Sequence, residues 1–265
     1  MQELRRIAIT GASSGLGAAL AKALAQPGVS LHLCARRVKG LEEVAGACRA
    51  SGAEVQTSSI DLRNPSAGPA WIEAIAAGGP IDLLILNAGI FAGRSEKGVM
   101  EPLDAIPGLI ATNLTSPLLC ATAAVPAMRA RGRGHVVLIS SLSAVSPSPD
   151  SPGYSAAKAG LSAYGKALAD DLAGTGVLVH VVEPGHILSH HTDQQIGAVP
   201  LAITPEAAAD HILRGVKRGA ARIAFPLLPR LYVRLTDLLP RPIRLLLNRS
   251  QRFTVRNDPD PLSGE

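Results

Sequence analysis

Tyr154-Ser155-Ala156-Ala157-Lys158 is the stretch whose residue types and spacing could do chemistry. Proline and serine fill residues 146–152 before it, and helix-forming residues continue to Leu172. On a helix starting near Gly153, the four-residue spacing puts the phenol and the ammonium on one face, about 5–6 Å apart at Cβ. A free tyrosine ionises near pH ~10 and is a poor base at neutral pH. A neighbouring cation favours the phenolate, and lowering its pKa by roughly three units takes about 4 kcal/mol. The expectation is a proton-transfer pair with a depressed tyrosine pKa. The same spacing also suits an ordinary helix with a packing tyrosine and a surface lysine, so the remaining polar residues decide.

Those residues recur after apolar runs. Asp61-Leu62, Asn87-Ala88-Gly89, Ser140-Ser141 and Pro184-Gly185 each follow one, and Asn113 interrupts a long helical stretch where asparagine is an indifferent helix former. Each alone reads as a turn residue or strand-end cap. At successive strand ends of one sheet they line a ligand cleft.

The elements that would hold them follow from the hydrophobic pattern. Residues 6–10 form a short buried strand running into Gly11-Ala12-Ser13-Ser14-Gly15-Leu16-Gly17 and an Ala/Leu-rich helix to Ala25. Strand, glycine turn and helix is the context a dinucleotide site requires. The glycines let backbone approach a pyrophosphate, and the helix N-terminus offers amide donors. After a second strand at 30–34, Ala35-Arg36-Arg37 stands where a NAD site offers an acid to the ribose. Arginine can fork onto a 2′-phosphate instead, so NADP is expected. Further strands read at 55–58, 81–86, 135–140, 177–182 and 222–225, alternating with helices at 41–50, 70–77, 103–129, 153–172 and 205–218. The fold class is α/β, one doubly wound Rossmann domain of about seven parallel strands with helices on both faces. Residues 1–226 carry the dinucleotide-binding and catalytic parts, 227–256 a helical extension of the same domain, and 257–265 a flexible tail.

Composition excludes several classes. Aromatics are scarce at 3%, which argues against base-stacking platforms for nucleic acid. The net charge of +5 is uneven, because residues 214–256 hold eleven Lys/Arg and one acid, Asp237. That local +10 leaves −5 for the remainder. Cys34, Cys48 and Cys120 lack metal-ligand spacing and read as packed, reduced thiols in a cytoplasmic protein. No signal peptide fits before Ile7, and no apolar run reaches the ~18 residues of a membrane span.

Taken together, the motifs resemble the short-chain dehydrogenase/reductase family. Residues 10–17 match its TGxxxGxG, Asn87-Ala88-Gly89 its NAG, and Tyr154 to Lys158 its YxxxK, while Ser141 stands at the family's distance from the tyrosine and Asn113 at its fourth catalytic position. The resemblance covers residues 6 to about 226. It implies hydride exchange between NADP(H) and a carbonyl/alcohol pair, with Tyr154 as general acid/base, Lys158 on the nicotinamide ribose, Ser141 on the carbonyl oxygen and Asn113 holding a water. It further implies that Asp61 and Leu62 face the adenine, that Asn87, Ala88 and Gly89 face the adenosine, and that Pro184, Gly185, Ile187 and Ser189 face the nicotinamide. Phe91, Leu142, Ser143, His186 and Leu188 (with Ile187) form a mostly apolar pocket, suiting a hydrophobic small-molecule ketone or alcohol. The alternatives are a non-catalytic NADP(H)-binding sensor or scaffold, a 3-ketoacyl reductase, and an extended sugar-nucleotide epimerase, for whose larger C-terminal domain there is no room.

Three features stand apart from the family pattern: a proline-rich run at 143–153, histidines at 186, 190 and 191, and about 40 residues after Phe225. No acid or cysteine completes a metal site with the histidines, so no metal is expected. The alanine-rich helices at 103–129 and 153–172 match those that pair across a twofold axis in the family, implying a homodimer or homotetramer. From Leu227, the leucines 227, 228, 231, 235, 238 and 239 keep helical spacing, with Arg230, Arg234 and Asp237 read as the opposite face. A second run sets 245–247 against Arg241, Arg244 and Asn248. The expectation is that the leucines pack over the cleft or a partner subunit; the sharper reading is peripheral membrane contact.

Overall fold

The structure, a computed structural model, describes residues 4–95, 98–188, 195–196, 201–248 and 252–255. Seven parallel strands form one sheet: β1 (Arg6–Thr10), β2 (Ser30–Ala35), β3 (Glu54–Ser59), β4 (Leu83–Leu86), β5 (Gly134–Ile139), β6 (Val177–Pro184) and, after a short β7 (Gln195–Ile196), β8 (Arg222–Phe225). Their order is β3-β2-β1-β4-β5-β6-β8. Strand order reverses between β1 and β4, the switch point where ligands enter a doubly wound sheet. This is a Rossmann-like fold.

Strand residues alternate between two cores because successive side chains point to opposite faces. Ile7, Ile9, Leu83, Ile85, Val137 and Ile139 face a cluster closed by α1 (Gly15–Leu24), α2 (Val38–Ala50) and α7 (Pro205–Lys217). Ala8, Leu84, Leu86, Val136 and Leu138 face the other, under α3 (Ala67–Ala77), α5 (Ser116–Ala130) and α6 (Pro152–Asp171). Burial on both faces is why these strands read as continuous apolar runs.

Several boundaries shift by one to three residues from the sequence reading, and two of the differences have a clear cause. β4 begins at Leu83 because Asp82 turns its carboxylate back to the Arg5 and Arg6 amides at 2.9 and 3.1 Å. The helix expected at 103–129 divides into α4 (Ala105–Ile110), a π-turn at Ala111–Thr115 and α5. The whole, Ala105–Ala130, is long and apolar enough to cross a membrane, a length the sequence reading had not found; it packs against α3, α6 and the sheet. Beyond β8 come α8 (Leu227–Asp237), α9 (Arg241–Asn248) and the unanticipated β9 (Thr254–Val255), which pairs antiparallel with β7. The tail at 257–265 lies outside the described residues.

Candidate active site

The tyrosine and lysine sit on the first turns of α6, which opens with Ser151 as N-cap and Pro152 in the first turn. Glu101 caps that end from a distant loop, accepting from the Gly153 and Tyr154 amides at 2.7 and 3.3 Å. A carboxylate at a helix N-terminus satisfies orphan donors and complements the dipole. Lys158 Nζ lies 5.6 Å from the Tyr154 ring centroid and donates to Ile139 O at 2.9 Å. Ser141, just past β5, lies near enough to Tyr154 to favour its ionised form and accepts from the Ser143 amide at 3.1 Å.

Asn113 comes from the π-turn. It is fully buried, accepts from the Ile90 amide at 2.9 Å and donates to Ile90 O at 2.7 Å. The extra residue in the turn aims the amide at the strand-end loop, a placement π-bulges often serve at functional sites. A Cβ on Gly89 would stand 2.9 Å from Asn113 Oδ1 and 3.7 Å from Lys158 Nζ. The four expected catalytic residues are thus brought to one place.

Their ionisation differs from the sequence expectation in one respect. Burial pushes Tyr154 up to about 12, with Ser141 partly opposing it. Burial likewise brings Lys158 down to about 8. The ammonium is directed to Ile139 O and lies over the ring rather than at the phenol oxygen, so it does not depress the tyrosine here.

The glycine loop makes a close-packed cradle. Gly11 has φ +67°, and a Cβ on Gly17 would stand 2.1 Å from Gly11 O, so backbone alone fits. Ser14 caps α1 with no side-chain bond to its amides, leaving the helix end with Ser13, Gly15 and Leu16 to meet an anion. Arg37 Nη2 donates to Ser14 Oγ at 2.9 Å, which brings a guanidinium to the loop; Arg36 lies near Asp61. Asn87 donates to Thr10 O and Gly11 O, both at 3.1 Å, while Thr10 Oγ1 accepts from the Asn87 and Ala88 amides. Asn87 therefore pins β4 to the glycine loop. The Asp61 carboxylate is held by Arg63, which lowers its pKa, with Leu62 buried beside it. These residues fit a dinucleotide: the cradle excludes side chains and Arg37 stands where a ribose phosphate would be met.

The pocket wall is more aromatic than the sequence suggested. Phe91 meets Tyr154 edge-on at 5.0 Å, as expected of a pocket residue, and Phe253 stands 6.0 Å from Phe91. Phe253 arrives on a strap fixed by buried Asp150, which takes Arg252 at 2.7 Å, Arg94 at 3.0 Å and the Phe253 amide at 3.2 Å. Burial opposes ionisation of Asp150, yet these donors hold it below the usual carboxylate range. Val255 then seats where a Cβ on Gly93 would be 2.7 Å away. No local pattern in the sequence pointed to Phe253, Asp150 or Glu101, because each acts across 50 or more residues.

Leu142 is buried against Gly185 and Pro226, and Pro184 ends β6 opposite Phe225. Ile187 bridges to Ile203 and packs on the core, His186 is half-buried with its pKa lowered by burial, and Leu188 is exposed. Ser189, His190 and His191 lie outside the described residues.

Fold and site together define a dinucleotide-binding α/β protein with a Ser-Tyr-Lys-Asn cluster at the cleft. The short chain dehydrogenase family pattern matches residues 5–198, and the chain belongs to that family. It is 34% identical over 240 residues to an uncharacterised oxidoreductase of Myxococcus xanthus, covering 90% of this chain and 94% of that one. It is 33% identical over 229 residues to the ketoacyl reductase HetN of Nostoc, covering 83% and 77%. Among solved structures, a short-chain dehydrogenase from Sphingobium yanoikuyae in complex with NADPH matches with TM-score 0.76 and 26% identity over 90% of this chain and 97% of that one.

Proposed function

We propose that this oxidoreductase of the CH–OH/C=O class reduces the carbonyl of a hydrophobic small molecule, or oxidises the matching alcohol, with Tyr154 as general acid/base. The cofactor is NADP(H), in keeping with the similar structures that hold NADPH or NADP. The observation that carries the reading is the convergence of Ser141 from the end of β5, Asn113 from the π-turn, and Tyr154 and Lys158 from the first turns of α6. A sensor would need the cradle but not this cluster.

The glycine loop, Arg37, Asp61 and residues 87–89 would hold the adenosine end, and Lys158, Gly185 and Ile187 the nicotinamide end. When bound, the reduced nicotinamide supplies the hydride. Tyr154, kept protonated by burial, donates its hydroxyl proton to the carbonyl oxygen, so that carbon and oxygen each gain one hydrogen. Ser141 donates to the same oxygen as charge develops there. Lys158, still cationic below about pH 8, would hold the nicotinamide ribose. Phe91, Leu142 and Phe253 exclude water and favour an apolar substrate.

The HetN likeness keeps a 3-ketoacyl substrate as the second reading. Against it, Phe253 stands 6.0 Å from Phe91 and adds to the aromatic wall beside the site. We further read the protein as cytoplasmic and as a homodimer or homotetramer through α5 and α6. A spectrophotometric screen of NADPH oxidation across aldehydes, cyclic ketones, steroids and ketoacyl esters tests the assignment. Turnover is expected with apolar ketones and its loss in Tyr154→Phe; no turnover with any class would return the protein to the sensor reading.

A further inference from the structure

The sequence reading placed the leucines of the C-terminal extension inward and the arginines outward. In the structure the leucines of the first helix do not pack over the cleft but stand exposed. Projected at about 100° per residue, Leu227, Leu228, Leu231, Leu235 and Leu238 occupy an arc of roughly 100° on α8. These five are 46–82% exposed. The face applied to the body is a different one, with Thr236 buried and Tyr232 and Val233 half-buried. The helix α9 repeats the arrangement, with Ile243, Leu246 and Leu247 exposed by 40–63%. By the same projection Arg230 on α8 and Arg244 on α9 flank these apolar arcs, and Arg241 is exposed at the start of α9.

Eight exposed large apolar side chains within 22 residues form a surface that water disfavours, and such patches mark interaction sites. Charge selects the occupant. Residues 227–248 carry four arginines against Asp237, inside the segment with local net +10. A second copy docked face to face across a twofold axis would bring like charges together. An anionic lipid surface complements both features, taking leucines into the acyl boundary and arginines among the headgroups.

We propose that α8 and α9 dock the protein peripherally onto an anionic phospholipid bilayer, through the outward leucine arc and its bordering arginines. The surface stands beside the site, because α8 follows β8 directly and packs on the turn Leu142–Ala144. The docking does not depend on the assigned reaction, and its test reads lipid binding alone.

The full chain is co-sedimented with vesicles of phosphatidylcholine alone and of phosphatidylcholine with an equal share of phosphatidylglycerol. Binding is expected to the anionic vesicles, weakening as salt shortens the Debye length. Arg230→Gln and Arg244→Gln should each weaken it about fivefold, and Leu231→Asp with Leu235→Asp should abolish it. These leucines are exposed, so the variants should keep the parent melting temperature. In Leu235→Trp, fluorescence should shift to the blue on adding anionic vesicles. Protein that stays in the supernatant with anionic vesicles at low salt overturns the proposal. So does an oligomer that Leu231→Asp with Leu235→Asp dissociates while vesicles bind nothing, since the face would then belong to a second copy.

Discussion

The two ends of the parallel sheet both bury charged and polar groups, and they use them differently. At the N-terminal strand ends, Asp82 accepts from the Arg5 and Arg6 amides and from Arg133 Nη2 at 3.0 Å, with Arg131 at 3.7 Å. Beside it, His135 and His180 stack with rings 7° apart, and Nδ1 of His135 lies 3.0 Å from Nε2 of His180. His180 Nδ1 is 2.7 Å from Ala220 O, so it is the donor there and Nε2 the acceptor from His135. Burial holds His180 near 4 and therefore neutral. Every partner at this end belongs to the fold.

At the C-terminal ends the supporting groups are equally satisfied: Ser140 donates to Lys158 O at 2.9 Å, and Ser162 Oγ lies within 3.1 Å of both Ser140 and Glu183. Among the described residues no buried side-chain nitrogen or oxygen lacks a partner. The reacting groups are the exception in capacity. An ammonium has three donors, and Lys158 directs one to Ile139 O; the Tyr154 hydroxyl and Ser141 remain at the cleft. Buried polar groups stabilise where the fold saturates them and do chemistry where capacity is left over.

Substitutions at the two ends should separate these roles. Tyr154→Phe is expected to lower kcat by ~10²-fold or more, with the melting temperature and NADPH binding nearly unchanged; more than half the activity remaining would move the general acid elsewhere. Asp82→Asn at the other end should cost about 3 kcal/mol of stability, as removing one partner of a buried ionic cluster does, measured by urea unfolding. The kcat of the folded fraction should not move, and a fall in it would mean the ends are coupled.

The remaining two predictions concern the cleft alone. NADPH should be preferred over NADH in kcat/KM by at least about tenfold, ~1.4 kcal/mol, and Arg37→Ala should erode the preference; equal use of both would remove the arginine argument. The smallest effect is in pH. Lys158 has a folded value near 8, below its ordinary 10.5, so between these the unfolded chain binds more protons and stability should rise with pH. Carbonyl reduction should fall a few-fold over the same window as the ammonium is lost, while Tyr154 keeps its proton until about 12. Rate and stability moving together would contradict this assignment.

Much of this was written in local order. The strands are apolar because parallel sheets bury both faces, and the glycine loop, the serine and the Tyr-Lys pair sit at fixed separations that one chain segment can carry. Polar residues closing successive apolar runs marked the strand ends, so the cleft there was legible. What the sequence could not fix depended on contacts between distant segments. The tyrosine pKa turned on burial and on where the ammonium points, neither of which spacing reveals. Glu101 under α6 and the Asp150 strap carrying Phe253 join residues 52 and 103 positions apart. The orientation of the C-terminal helices was decided last. A periodic pattern defines an apolar arc, but only the docking of Tyr232, Val233 and Thr236 against the body determined that this arc faces outward.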